Sequence, residues 1–180
     1  MMNTLVDMMK NFERYKKYIE NINLNNSPVM ITGLTFASKS FFLVSTIASI
    51  IGQNKDKKKD IYYYIVENEI DIYKIREDIE YFAKDLEIEV LDFPKKDIRD
   101  FDIISESIEI YKKRMQVFNR IMQKSENTLK NNIIVILPIE SLMQRIVPYN
   151  VLFKNKIELI KGQDITQNEI IKKLNILGYK

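Results

Sequence analysis

Apolar residues recur every three or four positions at the start of the chain, at Leu5, Met8, Phe12, Tyr15, Ile19 and Ile22. Positions with this spacing share one face of an α-helix, so the pattern predicts an amphipathic helix that presents its Lys and Arg side chains to solvent. The polar stretch 23–27 (NLNNS) then ends the pattern. We therefore predict an N-terminal helix and link over residues 1–26 and one larger domain over residues 27–180.

Short apolar runs alternate with helical spacing through the rest of the chain. The predicted strands are 28–32, 61–66, 88–93, 133–137 and 157–160. Between them we predict an all-apolar helix that ends at Gly52 and amphipathic helices over 72–86 and 104–122. Strands that alternate with helices of about ten or more residues favour βαβ units. We therefore predict an α/β domain, a mostly parallel sheet of about five strands with helices on both faces.

The composition excludes several classes of site. Lys and Arg number 28 against 25 Asp and Glu, and a net charge of +3 identifies neither a nucleic-acid partner nor a membrane partner. The chain has no Cys and no His, which removes thiol nucleophiles, histidine triads and most zinc sites. Its longest apolar run, 41–52, has about half the length that a membrane-spanning helix needs, and its N-terminus is unlike a secretory signal. We therefore expect a cytoplasmic protein without a membrane partner.

Residues 33–40 (GLTFASKS) follow the first predicted strand and are similar to the phosphate-loop motif G-x-x-x-x-G-K-[ST]. Gly33 matches the first glycine, and Lys39 and Ser40 stand at the positions of the phosphate-binding lysine and the magnesium-binding hydroxyl. Ser38 replaces the second glycine, which lets backbone N–H groups turn toward a phosphate. We therefore predict a degenerate phosphate loop of the NTPase type. No cofactor is expected beyond weak binding of ATP with magnesium.

Hydrolysis of a nucleotide also needs an acidic residue at the end of a buried strand, where it organises magnesium. The most apolar predicted strand ends at Pro138, and Glu67 and Asp92 lie in or after other strands without an adjacent acidic residue. We therefore assign no catalytic residue and no resident metal. A simpler interpretation also stays open, in which Lys39 is a solvated lysine at the start of a helix and Ser40 is a capping hydroxyl.

Four segments occur in the order found in one protein family. Residues 27–43 (SPVMITGLTFASKSFFL) contain the loop, and residues 65–82 (IVENEIDIYKIREDIEYF) join a strand to an acidic helix. An F-P…D…S…E-I…R pattern follows, at Phe93, Pro94, Asp102, Ser105, Glu109, Ile110 and Arg114. Residues 136–148 (ILPIESLMQRIVP) add Gln144 and Arg145. Together these segments resemble the N-terminal, excinuclease-B-like module of bacterial transcription-repair coupling factors over nearly the whole predicted domain.

This resemblance implies a RecA-like helicase lobe that has lost its ATPase role. Proteins of this family are ATP-dependent DNA translocases that displace stalled RNA polymerase and recruit nucleotide excision repair to DNA damage. The chain would then be a non-catalytic scaffold and interaction module of the parent translocase. Its implied partners are the rest of the parent, the excision-repair A subunit through the adjacent domain, and RNA polymerase and double-stranded DNA through the parent protein.

The resemblance assigns structural roles to Phe93, Pro94, Glu109, Arg114, Gln144 and Arg145. It assigns no partner-binding residue, because recruitment in the family belongs to a small domain that begins about where this chain ends. We therefore expect the sequence to stop short of that domain. The alternative is a nucleotide-binding lobe of an excinuclease-B-like DNA helicase, in which Lys39 and Ser40 hold phosphate and magnesium. The segment 94–104 is too short and too poor in aromatic residues for the DNA-clamping hairpin of excinuclease B itself.

Overall fold

The structure is a computed structural model that describes residues 4–24, 26, 28–54, 56, 58–96, 107–146, 148–154, 156–157 and 159–176. The chain divides into two compact units, Met1–Gln144 and Arg145–Lys180. The residues predicted as an N-terminal helix and link therefore belong to the same unit as the sheet. No helix in these described ranges is long and apolar enough to cross a membrane.

The helices of the first unit are α1 (Thr4–Met9), α2 (Glu13–Asn23), α3 (Ala37–Gln53), α4 (Ile72–Ala83), α5 (Ile108–Ser125) and α6 (Ile139–Met143). The predicted N-terminal helix is interrupted by a turn between α1 and α2. In that turn the N–H groups of Lys10, Asn11 and Phe12 bond to carbonyls three residues back. Tyr15 and Ile19 are buried on α2, so the apolar spacing identified the buried face of this helix although it missed the turn.

Three parallel strands form the sheet, β1 (Ile61–Val66), β2 (Ile88–Asp92) and β3 (Asn132–Pro138), in the order β1-β3-β2. β3 is central, and all of its residues are buried. Its aliphatic run suits a strand that is covered on both faces. The prediction of an α/β domain with a parallel sheet is confirmed.

Helices cover both faces of this sheet. Ile134 and Ile136 of β3 lie in one core with buried residues of α3 and α4, among them Ile47 and Ile79. Residues 133, 135 and 137 of β3 lie in a second core with the side chain of Val117 from α5. Successive residues of a strand point to opposite faces, so the alternation along β3 separates the two cores.

The sheet is smaller than the sequence pattern predicted, with three strands instead of about five. Residues 28–32 form no strand, and their side chains are exposed. The described residues of 157–160 form no strand either, and Leu159 and Ile160 are exposed. A short apolar run becomes a central strand only where other strands bond to it and helices cover it, and neither condition can be read from the run itself.

The second unit contains α7 (Tyr149–Lys154) and α8 (Gln167–Ile176). Thr166 Oγ1 accepts the N–H of Glu169 at 3.3 Å, and Glu169 Oε2 accepts the N–H of Thr166 at 2.9 Å. This reciprocal pair is a capping box, and it fixes the start of α8. The hydrogen bonds from Thr166 also lower the pKa of the Glu169 carboxyl.

Candidate functional site

A cavity of about 530 Å³ lies beside the carboxyl end of β1 and the start of α3. Its apolar lining includes Leu34, Phe36, Tyr64 and Val66, and its charged lining consists of Lys39, Glu67, Asp71, Lys74 and Asp78. Ligands of parallel α/β sheets bind at the carboxyl ends of strands, so this is the position where a phosphate site is expected. Burial raises the pKa of the Tyr64 hydroxyl, which therefore stays neutral in the cavity wall at neutral pH.

The loop that faces this cavity is closed by its own hydrogen bonds. Ser38 Oγ accepts the N–H of Thr35 at 2.8 Å and donates to the carbonyl of Thr35 at 2.5 Å. The N–H of Ser38 donates to the same carbonyl at 3.0 Å, and the N–H of Lys39 donates to the carbonyl of Phe36 at 3.1 Å. A phosphate cradle needs such N–H groups to point at the ligand. The N–H groups of Thr35, Ser38 and Lys39 are instead hydrogen-bonded within the loop.

The backbone of the loop needs two unusual conformations. Gly33 has φ of +84°, a conformation that glycine adopts without strain. Phe36 has φ of +43°, which is uncommon for a residue with a side chain. Its ring is exposed to solvent and lies 5.6 Å from Nζ of Lys74. The loop is therefore held in its shape by contacts of residues 35–39, with a bulky ring beside the cavity.

The structure brings only part of the predicted phosphate site to the cavity. Lys39 lines it, whereas Ser40 does not and is 1% exposed. A hydroxyl that binds magnesium must reach the metal beside the phosphates. Ser40 is therefore oriented into the protein instead of toward the cavity.

The charges of the cavity also disfavour a triphosphate. Three carboxylates line it against two lysines, so its lining is acidic on balance. Among the described residues, no group of three or more acidic side chains is arranged to hold a metal ion. The carboxylates therefore disfavour the approach of a phosphate group to the cavity.

The two acids considered for hydrolysis lie apart from each other. Glu67 is exposed at the cavity, directly after β1. Asp92 on β2 accepts a hydrogen bond from Arg76 Nη1 at 2.8 Å, and Arg76 Nη2 donates to the carbonyl of Val90 at 3.1 Å. Asp92 therefore fixes α4 to β2, and it is not placed to activate water at the loop.

A second site forms around Arg114, which is 2% exposed although it is charged. Its Nη1 donates to the carbonyl of Pro94 at 2.7 Å and lies 3.3 Å from Oε1 of Gln144, and its guanidinium carbon lies 4.0 Å from the centre of the Phe93 ring. We call Phe93, Pro94, Arg114 and Gln144 the arginine cluster. Four residues that the family resemblance singled out thus contact one another.

Polar side chains around the arginine cluster join three segments of the first unit. Gln144 accepts the N–H of Lys96 at 2.8 Å and donates to its carbonyl at 2.9 Å. Ser141 of α6 donates to the carbonyl of Phe93 at 3.0 Å. The cluster therefore ties the end of β2 to α5 and α6. Ser141 lies in the matched segment 136–148, but sequence reasoning assigned no role to it or to Lys96, because neither is an unusual residue type for a loop or helix.

The other residues of the family pattern lie outside this cluster. Glu109 is exposed on α5 and pairs with Lys113 at 3.5 Å, one helical turn away. Arg145 is exposed and begins the second unit. Asp102 and Ser105 fall outside the described residues, as does the start of the helix predicted from residue 104.

Comparison with models of protein families, with curated proteins and with solved structures found no match. The resemblance to coupling factors therefore stays a prediction, which depends on the order of the sequence motifs. The loop and the arginine cluster are the two parts of the structure on which it can be tested.

We expect Arg114→Lys to lower the free energy of unfolding by about 1–3 kcal/mol, because lysine lacks the planar fork that both bonds Pro94 and stacks on Phe93. Urea denaturation followed by circular dichroism measures the change. Arg14→Lys is the matched control, since Arg14 is exposed on α2 and should shift stability by less than about 0.5 kcal/mol. Equal stability of Arg114→Lys and wild type would contradict a structural role of the arginine cluster.

Proposed function

We propose that this chain is a non-catalytic scaffold and interaction module of a transcription-repair coupling factor. The parent would be an ATP-dependent DNA translocase that displaces stalled RNA polymerase and recruits nucleotide excision repair. Within it, this chain would be a degenerate RecA-like helicase lobe that does not turn over ATP. Its partners would be the rest of the parent and, through the parent and its adjacent domain, RNA polymerase, double-stranded DNA and the excision-repair A subunit. The parent would act in the cytoplasm.

One observation carries the non-catalytic part of this proposal. Ser38 stands where the phosphate-loop motif has its second glycine, and its hydroxyl accepts a hydrogen bond from the N–H of Thr35. Binding of a triphosphate would have to break this bond and both turn bonds of Ser38 and Lys39. Each such bond is worth about 0.5–1.5 kcal/mol, so the loop resists conversion into a phosphate cradle.

The fold supports the assignment to a helicase lobe in a limited way. A parallel sheet with helices on both faces, and a loop and α3 beside the carboxyl end of β1, is compatible with such a lobe. The strand that precedes the loop in a phosphate-loop protein is absent here, because residues 28–32 form no strand. The arginine cluster supports the family more specifically, because the pair 93–94, residue 114 and residue 144 come from three separate segments and yet contact one another. Motif residues that hold the fold together suit a module retained for its shape.

A nucleotide-binding lobe of an excinuclease-B-like helicase is the second candidate. The observation in its favour is that Lys39 lines the cavity, where its amine is available to a ligand. Ser40 and the acidic lining oppose it, for the reasons given above. The two candidates differ in one measurable property, the affinity of the isolated chain for ATP with magnesium.

We expect calorimetry to show no binding of ATP with magnesium up to about 1 mM, because the loop N–H groups are already bonded. Ser38→Gly is the informative variant, since it frees the N–H of Thr35 and should bind ATP more tightly than wild type. A wild-type ATPase activity that requires magnesium and is lost in Lys39→Ala would contradict the proposal. If Ser38→Gly also gives no heat of binding, a feature of the loop other than Ser38 prevents ATP from binding.

The link to coupling factors is tested in a chimera in which this chain replaces the N-terminal module of a bacterial coupling factor. We expect the chimera to release stalled RNA polymerase from DNA in an ATP-dependent manner, because the motor lies elsewhere in the parent. The same chimera with Lys39→Ala should release polymerase equally well. A chimera that is folded by circular dichroism and yet inactive, or one whose activity depends on Lys39, would argue against the assignment.

A further inference from the structure

An apolar groove lies on the N-terminal side of the first unit, and Leu34, Lys39 and Tyr64 form part of the wall between it and the phosphate-loop cavity. Two cavities of about 470 and 500 Å³ share Tyr18, Ile31, Leu34 and Phe42 in their walls, so they form one continuous depression. Most of the wall comes from α2, α3 and the segment 29–34, and Met9 of α1 and Tyr64 of β1 also contribute to it. We call this depression the strap groove.

The floor of the strap groove is aromatic and already packed. The rings of Tyr15, Tyr18 and Phe42 lie 5.0 to 6.1 Å apart between centres. Tyr15 is 4% exposed, and its hydroxyl lies 3.0 Å from that of Ser49. Side chains fixed in this way lose little conformational entropy when a partner covers them, so the floor is suited to binding.

The rim of the strap groove consists of apolar side chains that remain in solvent. Met30 is 88% exposed, and Val29, Ile31 and Phe12 are exposed beside it. Single exposed apolar residues are common on protein surfaces, but a contiguous group around a concave floor marks an interaction site. Methionine adapts its shape to different apolar partners and is frequent on surfaces that bind amphipathic helices.

The charges of the strap groove are all of one sign. Arg14, Lys17 and Lys39 line it, and none of the lining residues in the described part of the chain is acidic. The phosphate-loop cavity has the opposite balance, with Glu67, Asp71 and Asp78 in its wall. An occupant of the strap groove must therefore combine apolar surface with negative charge.

We propose that the strap groove binds an acidic amphipathic helix of a partner protein. The partner places apolar side chains, spaced three and four residues apart, over the ring floor and against Met30. Asp or Glu residues beside that apolar stripe pair with Arg14 and Lys17 at the rim. The site does not involve the phosphate loop as a nucleotide cradle, and it stands whether or not the chain belongs to a coupling factor.

A protein helix fits this surface better than single-stranded nucleic acid does. Bases bind proteins by stacking on exposed ring faces. Tyr15 is buried, and the rings of Tyr15 and Phe42 meet edge to face at 87° and 5.7 Å, so these rings cover one another. Of the exposed apolar residues at the rim, Met30, Val29 and Ile31 have no ring to stack, which leaves only the ring of Phe12, and stacking of successive bases needs several rings.

Fluorescence anisotropy tests this proposal with a labelled synthetic helix of about 15 residues that has Leu and Phe along one stripe and Glu and Asp elsewhere. We expect saturable binding of this probe by the full chain. The double variant Arg14→Glu, Lys17→Glu should weaken it at least tenfold, and so should Met30→Asp. The same peptide with Lys in place of its acids should not bind, because its charges would face Arg14 and Lys17.

Two matched controls separate this site from general effects of charge and polarity. Lys58→Glu with Lys112→Glu makes the same change in net charge at exposed lysines that do not line the groove. Ile70→Asp places an acid at another exposed residue, one that is 91% accessible. Both should bind the probe within about twofold of wild type. All of the variants change exposed residues, so their circular dichroism spectra should match that of wild type.

Several outcomes would overturn the proposal. These are no saturable binding of the acidic probe, equal binding of the lysine peptide, or an equal loss of affinity in the control variants. A labelled single-stranded oligonucleotide tests the alternative occupant, a nucleic acid. If it binds saturably and loses affinity in the Arg14 and Lys17 variant, while the acidic peptide does not bind, the groove is a nucleic-acid site and the helix is the wrong occupant.

Discussion

Ser38 bonds to both backbone groups of Thr35, accepting its N–H and donating to its carbonyl, and this pair of contacts determines what the phosphate-like loop can do. The hydroxyl takes the place of a ligand oxygen at the N–H of Thr35, and the carbonyls of Thr35 and Phe36 accept the N–H groups of Ser38 and Lys39. The same contacts fix the start of α3 and therefore the position of Lys39 at the cavity. The closed loop and the acidic lining beside it both disfavour binding of a triphosphate at this end of the sheet.

The rest of the first unit gives this loop a rigid support. β3 is buried throughout and bonds to both other strands, so it joins the two cores of the sheet. The arginine cluster fixes the chain where it leaves β2 and connects it to α5 and α6. By contrast, segment 29–34 carries exposed apolar side chains into the strap groove. Rigid packing on one side and exposed apolar surface on the other suit a protein that acts through contacts.

Sequence patterns predicted the parts of the fold that depend on local spacing. The apolar run of β3, the strands predicted at 61–66 and 88–93, and the helices α3, α4 and α5 follow from hydrophobic period and length, with ends that differ by a few residues from those observed. The run 28–32 looked equally strand-like, but whether it joins the sheet depends on distant residues that must bond to its edges. The loop motif identified Ser38 as the residue that departs from the pattern, but the hydrogen bond between its hydroxyl and Thr35 can be seen only in the folded structure. The strap groove was not predictable, because its walls bring together residues of α1, α2, α3, β1 and the link before α3.

The most direct test of the closed loop is the amide spectrum of nitrogen-15-labelled protein, recorded while ATP with magnesium is added. The N–H signals of Thr35, Ser38 and Lys39 report on the three bonds that close the loop. We expect these signals to keep their positions up to about 1 mM nucleotide, because their hydrogen bonds are already made. Saturable shifts of all three signals would contradict the central claim that this loop offers no phosphate cradle.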